Sequence, residues 1–182
     1  MRGAVCAVTR FGAKGRFLMR VLGIDPGLAT VGWGVIDVIK GVPKVVSYGV
    51  ILTSKEDRLP VRLKTIEEDL KSLVEKFKPD EAALEELFFN NNVTTAINVA
   101  EARGVILLTL VKECGNLYEY TPLQIKQALT GYGRADKKQM QTMVKTFLNL
   151  PSIPKPDDAA DALAVALTHA QTNRFKQPFS IK

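Results

Sequence analysis

At 182 residues, 46% of them hydrophobic, the chain has enough apolar material for one substantial core and too much for a disordered protein. Two cysteines, Cys6 and Cys114, and a single histidine, His169, exclude a disulfide framework, a CxxC zinc centre and a multi-histidine metal site, and point to a reducing, cytoplasmic compartment. The net charge of +6 admits nucleic acid as a partner, whereas the longest apolar run, GVILLTLV, falls far short of the roughly 20 residues that span a bilayer, so no membrane is expected.

Residues 1–18 carry Arg2, Arg10, Lys14 and Arg16 with no acid, +4 of the total, which leaves only +2 for residues 19–182. This leader lacks the apolar stretch of a secretory signal and precedes a clean strand pattern, so it is expected to lie outside the fold. The domain is placed at 19–175, with 176–182 as a flexible basic tail. RVLGID (20–25), GWGVIDV (32–38) and PKVVSYGVIL (43–52) read as three strands joined by short glycine turns, hence antiparallel hairpins. From Leu59 the apolar period changes to threes and fours, through Leu63, Ile66, Leu70, Leu73 and Phe77. That is an amphipathic helix stopped at Lys78-Pro79. EAALEEL (81–87) follows as a strand, and a long helix rich in small residues runs from about 93 to a C-cap at Gly115. LYEYT (117–121) is a strand. Thr121-Pro122 opens a helix closed by Gly131, and Asp136 is placed to cap the helix KKQMQTMVKTFLNL. After the rigid PSIPKP linker comes DDAADALAVALTHA. Three meandering strands followed by strand–helix alternation predict an α/β domain with a mixed five-stranded sheet and helices on both faces.

Carboxylates gather at suggestive places. Asp25 ends the first strand, Glu85 lies in the strand after the first helix, and carboxyl ends of neighbouring strands in an α/β sheet face the ligand crevice. Asp158 and Asp161, three apart, share one helix face. Four such acids converging would need a cation to remain ionised, and an oxygen-only set suits Mg²⁺. Each also has a plain explanation: Asp25-Pro26-Gly27 as a turn, LEEL as an exposed edge, Asp157 as an N-cap with its two neighbours complementing the helix dipole. The segment 120–155 bears Lys126, Arg134, Lys137, Lys138, Lys145 and Lys155 against Asp136 alone, a local +5 that fits either a solvated face or a phosphate-binding surface.

LGIDPGLATVGWGVI, ALEELFF, EARGVI, QIKQALTGYGRADKKQM and DDAADALAVALTHA, in this order, resemble the RuvC family of Holliday-junction resolvases over essentially all of residues 19–175. The resemblance implies an RNase H-like fold and a Mg²⁺-dependent endonuclease that nicks two opposed strands of a four-way DNA junction, in recombination and repair. It assigns the catalytic, metal-holding carboxylates to Asp25, Glu85, Asp158 and Asp161, with two Mg²⁺ per subunit and Mn²⁺ as a substitute. Glu86 takes a position that is not a ligand in the family. Functional lysines fall on Lys137, catalytic and DNA-binding, and on Lys126; Arg134 and Lys138 share the basic surface. Phe88, with Phe89 beside it, matches an aromatic that stacks on a base at the junction centre. The helix 93–114 matches a dimer helix, the alternative being a buried core helix, and a RuvA–RuvB branch-migration complex is the implied partner. His169 is expected to pack rather than to catalyse. Three other readings compete, one of them a resolvase-like family that also begins with a GxDxG strand but lacks the DAADAL helix match. A DxG turn after a strand is also the phosphate-binding signature of sugar kinases and actin-like ATPases, which would need a second such domain. A catalytically inactive junction-binding module would be expected to lack some of the carboxylates.

Overall fold

The computed structural model describes residues 18–87 and 93–172; the leader, the tail, Phe88 and Phe89 lie outside the described residues. The elements run β1 (Leu18–Asp25), β2 (Thr30–Ile39), β3 (Val42–Leu52), α1 (Leu59–Phe77), β4 (Glu81–Glu85), α2 (Val93–Glu113), β5 (Leu117–Tyr120), α3 (Pro122–Thr130), α4 (Lys137–Phe147) and α5 (Asp157–Thr172). They form one five-stranded sheet in the order β3-β2-β1-β4-β5. The meander β1–β2–β3 is antiparallel, and β4 and β5 add parallel strands on the other side of β1. This is the expected mixed sheet. The first strand starts at Leu18, one residue inside the segment set aside as leader.

Local chemistry explains the boundaries. The β2–β3 hairpin turns on Lys40 and Gly41, both at positive φ (50° and 81°), the pair of conformations that a two-residue type I′ turn requires. α1 stops where Lys78 turns left-handed (φ 49°) ahead of Pro79. β4 ends at Glu85, two residues short of the expectation, because its neighbour β5 ends opposite it at Tyr120 and the Glu86 N–H closes the ladder on the Tyr120 carbonyl. Both α3 and α4 open on reciprocal capping boxes, Thr121 with Gln124 and Asp136 with Gln139.

Alternation along the strands sends side chains to two cores. Leu22, Ile24, Val31, Val35, Ala82 and Leu84 face α1 and α2. Val21, Ile36, Val38, Ala83 and Tyr120 face α3, α4 and α5. α2 buries Ala102, Ile106 and Leu110 against α1 and leaves Ile97, Leu108 and Val111 more than half exposed on its opposite face. On that outward face a Cβ at Gly104 would meet nothing within 4 Å.

α5 is buried almost all round, from Ala159 through Ala170 apart from Asp161. It crosses β1 and β2 at glycine. A Cβ on Gly23 would stand 2.2 Å from the Ala162 carbonyl oxygen, one on Gly32 2.0 Å from the Asp158 carbonyl oxygen, and one on Gly34 2.7 Å from the Leu163 side chain. Small residues on both sides of the contact, alanine on the helix and glycine on the sheet, bring the helix down onto the strands. A second fastening holds its far end. His169, 1% exposed, lies 2.7 Å from the Tyr120 hydroxyl through Nδ1 and 2.6 Å from Glu81 Oε2 through Nε2, with the Tyr118 ring tilted against it at 4.4 Å. A tyrosine O–H donating to Nδ1 and an Nε2–H donating to Glu81 satisfy both ring nitrogens. The histidine does pack, within a buried polar chain that ties α5 to β4 and β5.

Candidate active site

Asp25 and Glu85 end adjacent parallel strands on the α5 side of the sheet. The register pairs Ile24 with Leu84, so the two carboxylates come next to each other at the strand ends. On its other flank Asp25 pairs with Gly32, the residue that receives Asp158 of α5. One turn further along the helix Asp161 enters the same cleft. That cleft, about 320 Å³, is lined by Asp25, Glu85, Asp161, Lys126 and Lys137, with Pro122, Ile125, Met140 and Ala164 as its apolar wall. Asp158 lines the adjoining groove.

Electrostatics bind the group together. Burial, reinforced by Glu85, Asp161 and Asp158, pushes the Asp25 carboxyl up to about 8. Burial and the neighbouring Asp161 push Glu85 up to about 7, against the opposing pull of Lys126 and Lys137. Asp161 is raised as well, first by burial, with Lys137 opposing. The Lys137 ammonium, 3.3 Å from Asp161 and 3.4 Å from Asp157, is itself raised by those two acids although partial burial works against it. Carboxyls raised in this way, crowded in one cleft, mark a site short of positive charge. Among the described residues no three His, Cys, Asp or Glu side chains already stand together as a metal-ligand set. The oxygen-only donors and their mutual repulsion nevertheless fit a hard divalent cation, whose arrival would favour the ionised forms.

Not every expected residue joins this cleft. Lys138 lines a separate groove of about 400 Å³ with Tyr132, Gln139 and Thr142, and Arg134 is exposed on the α3–α4 loop. Asp157 was expected to cap α5; the helix already includes it, and its carboxylate lies 2.6 Å from Lys155 and 3.4 Å from Lys137. The lysine at residue 155 thus covers Asp157 and holds it below the usual carboxylate range. The expected pairing of Asp158 and Asp161 on one helix face holds, but they open on two neighbouring depressions. Sequence reading missed Gly23, Gly32 and Gly34, which set the depth of α5. Their spacing at alternate strand positions, all on one sheet face, was the available signal.

Comparison with known proteins gives the same picture. A family profile described as "Crossover junction endodeoxyribonuclease RuvC" matches residues 21–169. The crossover junction endodeoxyribonuclease RuvC of Finegoldia magna is 55% identical over 87% of this chain and 96% of its own, and that of Petrotoga mobilis 56% identical over 86% and 96%. Among solved structures, Thermus thermophilus RuvC in complex with a Holliday junction substrate aligns with a TM-score of 0.85 at 35% identity, covering 90% of this chain and 99% of that one. The chain belongs to the RuvC family of crossover junction endodeoxyribonucleases, with the RNase H-like fold of that family.

Proposed function

We propose that the chain resolves Holliday junctions in DNA recombination and repair, by paired symmetric nicks in two opposed strands at a site holding two Mg²⁺ ions per subunit, for which Mn²⁺ can substitute. The observation that carries this is the single cleft in which Asp25, Glu85 and Asp161 meet Lys126 and Lys137, with Asp158 at its margin. With these acids and lysines in place, the inactive junction-binding alternative has no support.

Asp25, Glu85, Asp158 and Asp161 would hold the metals. Bound there, the ions would supply Lewis-acid activation of water and stabilisation of the departing 3′-oxygen. The chain's own residues do the remaining work. Lys126 and Lys137 come from capped helices at the cleft wall and place positive charge where a phosphodiester must lie, which makes binding salt-dependent. Met140, Ile125 and Ala164 limit water around it. Arg134 and Lys138, away from the cleft, are assigned to longer-range attraction of the DNA backbone. Phe88 and Phe89 are assigned to base stacking at the junction centre on the family resemblance alone.

Two opposed cuts on a two-fold junction call for a two-fold dimer. The outward stripe Ile97, Gly104, Leu108 and Val111 on α2, apolar and open at Gly104, supports that helix as the contact. A RuvA–RuvB branch-migration complex in the cytoplasm is the implied partner; no helix among the described residues is long and apolar enough to cross a membrane. The test compares a labelled four-way junction with a plain duplex, in Mg²⁺ and in Ca²⁺. Paired nicks on the junction alone, lost in Asp25→Asn and Asp161→Asn while binding persists, are expected. Cleavage at the normal rate by either variant would sink the metal-site assignment.

A further inference from the structure

Beside the cleft runs a second groove, about 460 Å³, lined by Gly27, Leu28, Ala29, Thr30, Arg62, Asn98, Val99 and Asp158. Asp158 lines this groove, and its charge acts on Asp25 of the catalytic cleft, so the two depressions are neighbours at α5's first turn. Among the described residues its one cation is Arg62, from the first turns of α1. Arg62 is held in place: its Nε–H donates to Thr53 Oγ1 at 2.8 Å. Thr53 in turn donates its hydroxyl to the Leu28 carbonyl at 2.6 Å and its N–H to the Ala29 carbonyl at 3.1 Å. The guanidinium is thereby keyed to the turn that follows Asp25. Among the described residues no carboxylate lies within ion-pair distance of Arg62, and none of its terminal nitrogens has a hydrogen-bond partner. An oriented guanidinium fork with no carboxylate at ion-pair distance among the described residues, in a groove beside a phosphodiester-cleaving site, is matched chemically by a phosphate.

We infer that Arg62, oriented by Thr53, is an anchor for a DNA backbone phosphate flanking the scissile one, so that the cut strand runs from the Lys126–Lys137 side past Asp158 into the Arg62 groove. This rests on the nuclease reading of the cleft and adds the direction of the strand and a residue that registers it. Lys126 and Lys137 grip the phosphate being cut; Arg62 fixes its neighbour, and with it the position of the strand along the metal site.

The test is junction binding in Ca²⁺ with the full chain, across a salt series, for the wild type, Arg62→Ala, Arg62→Lys and Thr53→Val. Arg62→Ala should weaken binding about tenfold regardless of junction sequence and lower the slope of log K against log salt by about 1. Arg62→Lys should keep the slope but lose affinity, because a point charge lacks the fork, and Thr53→Val should do the same through misorientation. A methylphosphonate scan of the cut strand should reveal one flanking position where neutralising the phosphate weakens the wild type but not Arg62→Ala. An unchanged salt slope with a lowered Tm would make Arg62 a structural strut and overturn the proposal. So would a scan in which every loss adds to that of Arg62→Ala. A wild-type chain that does not prefer the junction to a duplex overturns the functional reading itself, whereas a junction-binding wild type indistinguishable from Arg62→Ala overturns only the anchor.

Discussion

Gly32→Ala adds one methyl group to a strand, with no change in charge or in any site side chain. That methyl would stand 2.0 Å from the Asp158 carbonyl oxygen, 2.6 Å from its carbonyl carbon and 3.2 Å from its Cβ, whereas ordinary contact begins at 3.4 Å. The start of α5 must therefore retreat from the sheet by about 1.4 Å, from 2.0 to 3.4 Å. Sliding is blocked as well, because Cβ positions at Gly23 and Gly34 stand 2.2 Å from the Ala162 carbonyl oxygen and 2.7 Å from the Leu163 side chain further along. Overpacking of this kind costs about 1–3 kcal/mol. For a domain of this size that is a Tm lower by roughly 2–12 °C, so the protein remains folded at assay temperature. The chemical effect is larger. A carboxylate displaced by about 1 Å from a productive arrangement loses on the order of 100-fold in rate. Single-turnover cleavage of a labelled junction in Mg²⁺, beside binding in Ca²⁺ and a thermal melt, separates the two. Cleavage should fall about 100-fold while binding stays near the wild type, since the lysines and the surface are untouched. A Gly32→Ala protein that cuts at the wild-type rate would refute the idea that the sheet sets the position of Asp158 and Asp161.

Metal and protons should compete. Asp25 near 8 and Glu85 near 7 are raised above their unfolded values, so the stability they lend the metal-free protein is complete below about pH 4 and is lost as pH rises toward 8. The melting temperature of metal-free protein should fall across that window and Asp25→Asn should flatten the fall; an unaltered curve would contradict the assignment. Titration of Mg²⁺ at pH 7 by calorimetry in two buffers of different ionisation enthalpy should show proton release, and buffer-independent heats would refute it. Lys137→Met should lower cleavage by roughly 10²–10³-fold and shift its pH profile upward, because the lysine holds down Asp25, Glu85 and Asp161; a profile that stays in place would deny the lysine that role. Tyr120→Phe leaves His169 Nδ1 without its 2.7 Å partner and should cost about 1–3 kcal/mol, read as a lower midpoint in urea; an unchanged midpoint would mean that water replaces the hydroxyl.

Much of this was readable in advance for identifiable reasons. Strand periodicity, the change to threes and fours at Leu59 and the N-caps at Thr121 and Asp136 are local signals, and the elements they mark appear close to where expected. Asp25 and Glu85 were legible because carboxyl ends of strands are where α/β sheets present ligands, and the Asp158–Asp161 pair because helical spacing fixes a shared face. The remainder depended on contacts between distant segments. Nothing near Gly32 announces a helix 126 residues later, and Arg62 reads as one more charge on an amphipathic helix until Thr53 and the turn after Asp25 are seen beside it. The chain from Tyr120 through His169 to Glu81 joins three elements that only the sheet order brings together. Asp157 looked like a cap because an acid at the start of an alanine-rich run usually is one, and the competing pull of Lys155 and Lys137 is invisible to a helical template.

The burial of α5 has a consequence for how this enzyme tolerates change. In many enzymes a sturdy frame carries reactive groups on loops, so the frame can drift in sequence while the chemistry is kept. Here two of the four acids ride on the helix that also fills the centre of one core, touching β1, β2, β3, β4, β5, α3 and α4. A library of conservative substitutions among Val21, Ile36, Leu163 and Leu167 should therefore show losses of turnover in variants whose thermal midpoints are normal. Selection for heat resistance alone would be a poor guide to which of those variants still cut DNA.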